Sequence, residues 1–508
     1  MLPKSLNLPH TRRIDSFIAS FIGAGLLFAM TSCKTVVSSH DDPMSEYSLT
    51  FLDELEAVDS TQKDFSHFGV QYNGMPFHLS VEFDSLDVDY YLSQIPITAQ
   101  AASELGLKWA RVSVDWSSVE DNNGNFHWAI LDETIAQLND KKIEIYLCLH
   151  GGHREHTSFK PPVTEEELAA WEVFARKIIE RYKDQVDYWE IWNEGNSVWF
   201  WGNDPDASEY MQLVQHTSKL INELDPGSKI IGGNLARLDL PFAEELFELG
   251  IADYIDVFTF HPYGHYPEAI VKKISFQART PEWYIPADHQ VKDLLAIVEE
   301  TGKDIEVWQG ECGYPSQMNG MGWNGSGPWS ERIQSKWIMR RALVDLSFNS
   351  NVSTYFLMKE AKNLGREAYN YKGLLRYADN HRKPAFYAYQ NVIAALPGQL
   401  TSVEDHDATI EVTQAGSFPG LKDRDKMTVM LRDPQQKPYF AYWLVLRMQD
   451  AINPGHADVT LSGVQLENPI LVDLMTGQRY KIDDFSYNGS ATILRNLPIA
   501  DYPFIITE

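Results

Sequence analysis

The sequence predicts an α/β protein: a (β/α)8 TIM barrel over residues 65–397 joined to a smaller C-terminal all-β sandwich domain over residues 398–508. Three observations carry this expectation. Short strand-like runs alternate with longer amphipathic runs through the first region, the order that parallel strands with helical crossovers require. Polar residues gather at the C-terminal ends of those strand runs, where barrel enzymes place their chemistry. Beyond Pro397 the helical period stops and short alternating runs replace it.

The strand candidates, in order, are residues 68–72, 109–114, 143–149, 186–192, 229–233, 256–260, 305–309 and 352–358. Helical periodicity fills the intervals at 97–105, 128–138, 165–182, 208–224, 241–249, 289–300, 331–348 and 383–396. These βα units span a length within the usual barrel range of about 200 to more than 400 residues. A doubly wound open sheet is the alternative, but no glycine-rich phosphate turn follows an early strand. In the C-terminal region the alternating runs are 409–412, 427–431, 439–446, 459–462, 469–474, 491–494 and 504–507, with Met475-Thr476-Gly477-Gln478 reading as a hairpin turn.

Residues 1–33 read as an export signal: Lys4, Arg12 and Arg13 make a basic start, residues 17–30 are largely apolar, and small residues precede Cys33. Met30-Thr31-Ser32-Cys33 resembles the lipobox of bacterial lipoproteins. That resemblance implies acylation of Cys33 and an exported protein anchored by lipid in the bacterial cell envelope; an ordinary cleaved signal or a membrane anchor is the alternative. Residues 34–64 are polar and weakly patterned, as a tether would be. Only Cys148 and Cys312 remain, which is no disulfide framework, and both thiols are expected to be free, with Cys312 turned outward from the barrel.

The formal charge of −28 repels nucleic acid and anionic membrane surfaces, so membrane contact is expected through the lipid anchor alone and a neutral partner is the simplest expectation. Fourteen Trp and 24 Tyr supply flat faces that stack on sugar rings or, equally, fill large cores.

Two strands end in glutamates suited to chemistry. The run 188–194 reads Tyr-Trp-Glu-Ile-Trp-Asn-Glu, and alternation places Glu190, Trp192 and Glu194 on one face with Glu194 nearest the barrel mouth. The run 307–313 reads Val-Trp-Gln-Gly-Glu-Cys-Gly and brings Glu311 to the same end. Glycoside cleavage needs one carboxyl to protonate the departing oxygen and another to meet the charge growing at the anomeric carbon. The fourth and seventh strands of an eight-strand ring can face such groups across the mouth. No cofactor is required for this chemistry.

Trp-Glu-Ile-Trp-Asn-Glu at the fourth strand and Gly-Glu-x-Gly at the seventh resemble the retaining glycoside hydrolases of clan A. With Phe260-His261-Pro262-Tyr263 at strand six, the likeness is closest to family 39, while families 5 and 42 share much of it. It covers roughly residues 65–397 of the barrel. The resemblance implies Glu194 as general acid/base, Glu311 as nucleophile, and Asn193 as a hydrogen-bond partner of the sugar 2-hydroxyl.

Arg111, on the second strand, is the candidate to hold Glu311 ionised, with a bracing salt bridge as its alternative role. His261 and Tyr263 are candidate donors to Glu311 and to substrate, or parts of a packed aromatic corner. His150, His153 and His156 lie close together, but their spacing matches no zinc motif; no metal is expected, and His150 is expected to touch sugar hydroxyls. Trp199, Trp201 and Trp323 stand in loops that would line a cleft. The expected function is retaining hydrolysis of β-glycosidic bonds in a polysaccharide or oligosaccharide. The alternatives are a non-catalytic glycan-binding lipoprotein, which a barrel scaffold also permits, and a transglycosylase, which would share every residue named.

Overall fold

The computed structural model of the protein describes residues 44–72, 82–202, 204–273, 290–316, 329–361 and 370–508. The strand β1 (Leu49–Glu54) lies outside the barrel. The barrel is closed by β2 (Phe68–Tyr72), β3 (Trp109–Asp115), β4 (Glu144–His150), β5 (Tyr188–Ile191), β6 (Lys229–Ala236), β7 (Val257–His261), β8 (Glu306–Cys312) and β9 (Ser353–Tyr355). Neighbours in sequence pair in parallel, and β9 returns to β2 with Ser353 opposite Phe68.

The helices are α1 (Val88–Glu104), α2 (Trp116–Val119), α3 (Ala129–Asp140), α4 (Arg154–Thr157), α5 (Glu165–Tyr182), α6 (Ala207–Leu224), α7 (Leu240–Glu248), α8 (Val291–Glu300), α9 (Glu331–Ser347) and α10 (Pro384–Ala395). Helix α5 starts where the sequence places it because Thr164 and Glu167 form a capping box that satisfies amides at its first turn. Helix α1 begins nearer the N-terminus than expected and runs through Pro96: the Asp87 carboxylate caps the Tyr90 amide at 3.0 Å, giving the helix a start the proline does not cancel.

Side chains two residues apart along each strand fill successive layers of the barrel interior. The lower layer is apolar and aromatic, built from Trp109, Tyr146, Ile231, Val257, Trp308 and Val352 with Tyr188 against it. Gly69 is required there, since a Cβ on it would sit 2.7 Å from the Trp109 Cβ. One step up, at Arg111, Cys148 and Glu190, the interior turns polar, and this layer is the floor of the site.

The remaining strands are β10 (Thr401–Ser402), β11 (Ala408–Gln414), β12 (Lys426–Arg432), β13 (Pro438–Leu444), β14 (Gly455–Ser462), β15 (Ile470–Asp473), β16 (Gln478–Ile482), β17 (Phe485–Tyr487), β18 (Ala491–Ile499) and β19 (Phe504–Thr507). They form two antiparallel sheets, ordered β1-β16-β15-β19-β13-β12-β10 and β11-β14-β18-β17. The turn at Met475–Gly477 joins β15 to β16 as a hairpin, with Gly477 at φ 76°. The expectation of a tether over residues 34–64 is corrected here, because Leu49–Glu54 is an edge strand pairing with β16. Its side chains are mostly exposed, so backbone pairing holds it and no alternation of apolar residues marks it in the sequence.

Helix α9 is buried along its whole length from Ile333 to Leu346, because the barrel covers one face and the seven-stranded sheet the other. Its buried charges are paired. Arg340 meets Glu268 at 2.6 Å, and Trp443 of β13 donates to the same carboxylate at 2.7 Å; Lys336 meets Asp501 at 2.7 Å. Removing one partner of a buried pair strands the other charge, which costs about 3–5 kcal/mol. Arg340→Met is therefore expected to lower unfolding free energy by about that amount. Urea titration checks it, and a shift below about 1 kcal/mol would mean that Glu268 is held by its remaining donors.

Candidate active site

Arg111 is the hub of the polar layer. It is 1% exposed, and all five of its N–H groups find acceptors. Nε donates to Glu190 Oε2 at 2.6 Å, Nη1 to Gln71 Oε1 at 2.9 Å and Glu311 Oε2 at 2.7 Å, and Nη2 to Asn193 Oδ1 at 2.8 Å and Cys148 Sγ at 3.3 Å. A guanidinium is tolerated in a barrel core only when its donors are matched in this way. The result fixes Glu311 and Asn193 to one rigid centre. The other Glu311 oxygen, Oε1, accepts from Tyr263 Oη at 2.6 Å, so both oxygens of that carboxylate are oriented. Burial raises the Tyr263 phenol far above its ordinary range, which keeps it a donor.

The strand carrying Glu194 does not continue as alternation implies. β5 ends at Ile191, and Trp192 and Glu194 take left-handed conformations at φ 68° and 50°. Trp192 is therefore turned away from Glu190 and packs on Trp171 of α5 and on Trp201, a correction to the expected common face. Two such residues in three store strain of order 1–3 kcal/mol each, and a braced turn must hold it. Asn234 of β6 is the brace: its amide donates to the Ile191 and Trp192 carbonyls at 2.8 and 2.9 Å, and its own carbonyl accepts the Glu194 amide at 2.9 Å. The turn brings Asn193 inward to Arg111 and sets Glu194 at the mouth.

Glu194 Oε1 lies 3.0 Å from His261 Nδ1. Burial pushes the Glu194 carboxyl up to about 7, against the opposing pull of Arg111, Lys372 and Arg237. Burial also pushes the His261 imidazole down to about 4, so around pH 6 this contact joins two neutral groups and is no ion pair. His261 thus serves Glu194, and Tyr263 alone of the two donates to Glu311. Coordinating atoms of Glu194, His261 and Glu311 lie within 4.8 Å of one another. Among the described residues this is the set with donors for a divalent ion, although both Glu311 oxygens and one of Glu194 already have partners.

His150, at the end of β4, is 2% exposed, and neither ring nitrogen has a partner among the described residues. Burial, then Arg111, push it down to about 3, leaving a neutral ring. His153 caps α4 and His156 reaches Glu120 at 3.5 Å, so the loop histidines serve the loop. Trp199 is 82% exposed in the loop after β5. Trp201 does not fit a sugar platform: it is buried between Trp192 and Tyr210, and its indole N–H donates to Glu209 at 3.2 Å. Trp323 and Cys33 lie outside the described residues, as do parts of the insertions after β7 and β8. Cys148 and Cys312 are buried free thiols; Cys312 Sγ donates to the Pro262 carbonyl at 3.3 Å.

Sequence reading missed Gln71, Asn234, Arg237 and Lys372. Gln71 lies in β2 level with Arg111 on the neighbouring strand, and a polar residue inside a buried barrel strand is the signal that could have found it. Arg237 directly follows β6, and Lys372 lies well beyond β9 in the segment leading to α10; neither segment has a periodicity that marks it.

A sequence model of glycosyl hydrolases family 39 matches residues 111–465. A family 39 glycoside hydrolase from the gut symbiont Bacteroides cellulosilyticus WH2 superposes with a TM-score of 0.62 at 16% identity, covering 89% of this chain and 82% of that one. The family 39 enzyme from Xanthomonas axonopodis pv. citri gives 0.52 at 15% identity, covering 89% and 95%. A family 30 subfamily 8 xylanase from Clostridium acetobutylicum gives 0.54 at 11% identity, covering 90% and 97%. At these identities the likeness is one of fold. A search of the curated proteins found no match.

Proposed function

We propose, for a chain that belongs to glycosyl hydrolases family 39, that Glu311 is the nucleophile and Glu194 the general acid/base of its reaction. The chain is a retaining glycoside hydrolase acting on β-glycosidic bonds by double displacement. The observation that supports the residue assignment is the approach of a Glu194 oxygen to within 4.8 Å of a Glu311 oxygen. Retaining enzymes keep their carboxyl groups about 5–5.5 Å apart, whereas inverting enzymes leave about 6.5–9.5 Å for a water.

In the first step Glu311 attacks the anomeric carbon as the glycosidic C–O bond breaks, and the Glu194 proton goes to the departing oxygen. In the second, Glu194, now ionised, takes a proton from water, whose oxygen displaces Glu311. Arg111 and Tyr263 orient the attacking carboxylate, and Asn193 meets the sugar 2-hydroxyl while Arg111 fixes its amide. Burial gives Glu194 the proton it must start with. A 2-deoxy-2-fluoro glycoside with an activated leaving group slows the second step most and accumulates the intermediate. Peptide mass spectrometry should find the label on Glu311, and label on any other residue overturns the assignment. A glycan-binding protein without catalysis would have no use for two carboxylates held at this spacing.

We also propose that the chain is exported and anchored by lipid on Cys33 at the bacterial cell envelope. Support comes from the basic start, the apolar run and Met30-Thr31-Ser32-Cys33. Fractionation of expressing cells after palmitate labelling tests it: label and membrane association should both vanish in Cys33→Ser. Persistent membrane association without label would indicate an uncleaved anchor.

A further inference from the structure

We infer that Thr259 and Asn234 are positioning residues of the general acid/base: they form a clasp that sets where Glu194 stands, and neither touches substrate. This rests on the reading of Glu194 given above. Both residues are 0% exposed, so whatever they do for the reaction they do through Glu194. The clasp starts from an irregularity in β6, which has one residue more than β7 between the pairs Gly232–Phe258 and Leu235–Phe260. Gly233 and Asn234 take up the excess in left-handed conformations at φ 81° and 50°. A bulge of this kind re-aims the side chain it carries.

Here it brings the Asn234 side chain to the end of β5, where Nδ2 donates to the Ile191 carbonyl at 2.8 Å and the Trp192 carbonyl at 2.9 Å. The Asn234 backbone carbonyl accepts the Glu194 amide at 2.9 Å, so one residue grips the chain at 191, 192 and 194. A primary amide makes this grip only one way round, because a flipped amide would set oxygen against two carbonyl oxygens. Thr259 of β7 removes the ambiguity by donating its hydroxyl to Asn234 Oδ1. Two residues further along β7, His261 Nδ1 lies 3.0 Å from Glu194 Oε1. β7 therefore governs Glu194 at both ends, its backbone through Thr259 and Asn234 and its carboxyl through His261. Thr259 also packs on the strand of the nucleophile: a Cβ on Gly310 would lie 3.0 Å from the Thr259 Cβ. The clasp is thus referenced to the strand that carries Glu311.

The chemistry is sensitive to such a device. Misplacing a reacting group by about 1 Å can cost on the order of 10²-fold in rate. Left-handed residues at 192 and 194 store strain that the turn would release by relaxing if its carbonyls lost their donors. Glu311, held by Arg111 and Tyr263, would stay in place while Glu194 moved, so the acid step would suffer and the attack would not.

The test uses the full chain and three variants, with Glu194→Gln as reference. Thr259→Val keeps the branched shape and loses the hydroxyl, Thr259→Ser keeps the hydroxyl, and Asn234→Asp keeps the shape but replaces the donor by an acceptor. Substrates are the phenyl and dinitrophenyl β-glycosides of whichever sugar the wild type cleaves fastest; only the phenyl leaving group needs the acid. On the phenyl glycoside kcat/KM should fall by about tenfold in Thr259→Val and about 10²-fold in Asn234→Asp. The burst on the dinitrophenyl glycoside should stay within a few-fold of wild type, and Thr259→Ser should restore most of the loss. A Glu194 released toward solvent loses the burial that raises its carboxyl, so the alkaline decline should begin at lower pH in Thr259→Val than in wild type. Equal losses on both substrates, Thr259→Ser as impaired as Thr259→Val, or Thr259→Val indistinguishable from wild type would each overturn the inference. The Thr259 pair decides even if Asn234→Asp does not fold. Leaving-group selectivity in Glu194→Gln but not in Thr259→Val sinks this inference alone, whereas its absence from Glu194→Gln removes the acid/base reading and this one with it.

Discussion

Glu311→Gln is expected to lower kcat by on the order of 10⁵-fold while sugar affinity stays within a few-fold of wild type. The substitution removes the attacking anion and little else. The carbonyl of the introduced amide would still accept from Arg111, and its nitrogen can turn to the Tyr263 oxygen, so the two contacts now made at 2.7 and 2.6 Å keep partners. Arg111 remains charge-paired with Glu190 at 2.6 Å, which protects the barrel floor from an uncompensated cation. Stability should therefore move far less than activity. Steady-state kinetics, calorimetric titration with a product sugar and a thermal melt separate the three quantities. Loss of binding together with a large drop in Tm would make Glu311 a structural member of the Arg111 cluster; retained turnover would place the nucleophile elsewhere.

Much of this cluster is legible in the sequence. Glu194, Glu311, Asn193 and Tyr263 stand at or just past the ends of strands, where barrel geometry forces inward residues to converge, and Arg111 points inward from within β3 beneath them, so strand order alone brings the five together. What the sequence could not express is how the chain bends between them. Period-two alternation sends Trp192 inward, but left-handed residues at 192 and 194 send it outward, and the cause lies in Asn234 on a different strand. Trp201 misled for a related reason: an aromatic residue in a cleft loop reads the same whether its face is open or pinned against Tyr210. The edge strand β1 carries exposed side chains and leaves no apolar pattern, so only its hydrogen bonding to β16 reveals it.

Glu194→Gln and Glu194→Ala should act on the leaving group. On natural glycosides, whose departing oxygen needs a proton, kcat/KM is expected to fall by about 10²- to 10⁴-fold. On a dinitrophenyl glycoside the first step needs no acid and should be nearly unchanged. The second step still lacks its base, so a burst of phenol should precede slow turnover. Equal losses on both substrates, with no burst, would remove Glu194 from the acid/base role. The pH dependence has a definite sign. Glu194 must begin protonated, so wild-type kcat/KM on natural glycosides should decline as pH rises through about 7, and that limb should be absent in Glu194→Gln. Stability follows the same proton. A carboxyl raised from 4.5 to about 7 favours the folded state fully below its unfolded pKa, and this support is lost as pH climbs to the folded value. Above that pH the wild type must fold around an ionised Glu194, whereas the amide carries no charge, so Glu194→Gln should be the more stable protein by up to about 3 kcal/mol. Denaturant titrations at pH 5 and pH 8 check this. An advantage that did not grow between them would mean that Glu194 ionises without penalty in the pocket, and burial would then no longer explain how the acid keeps its proton.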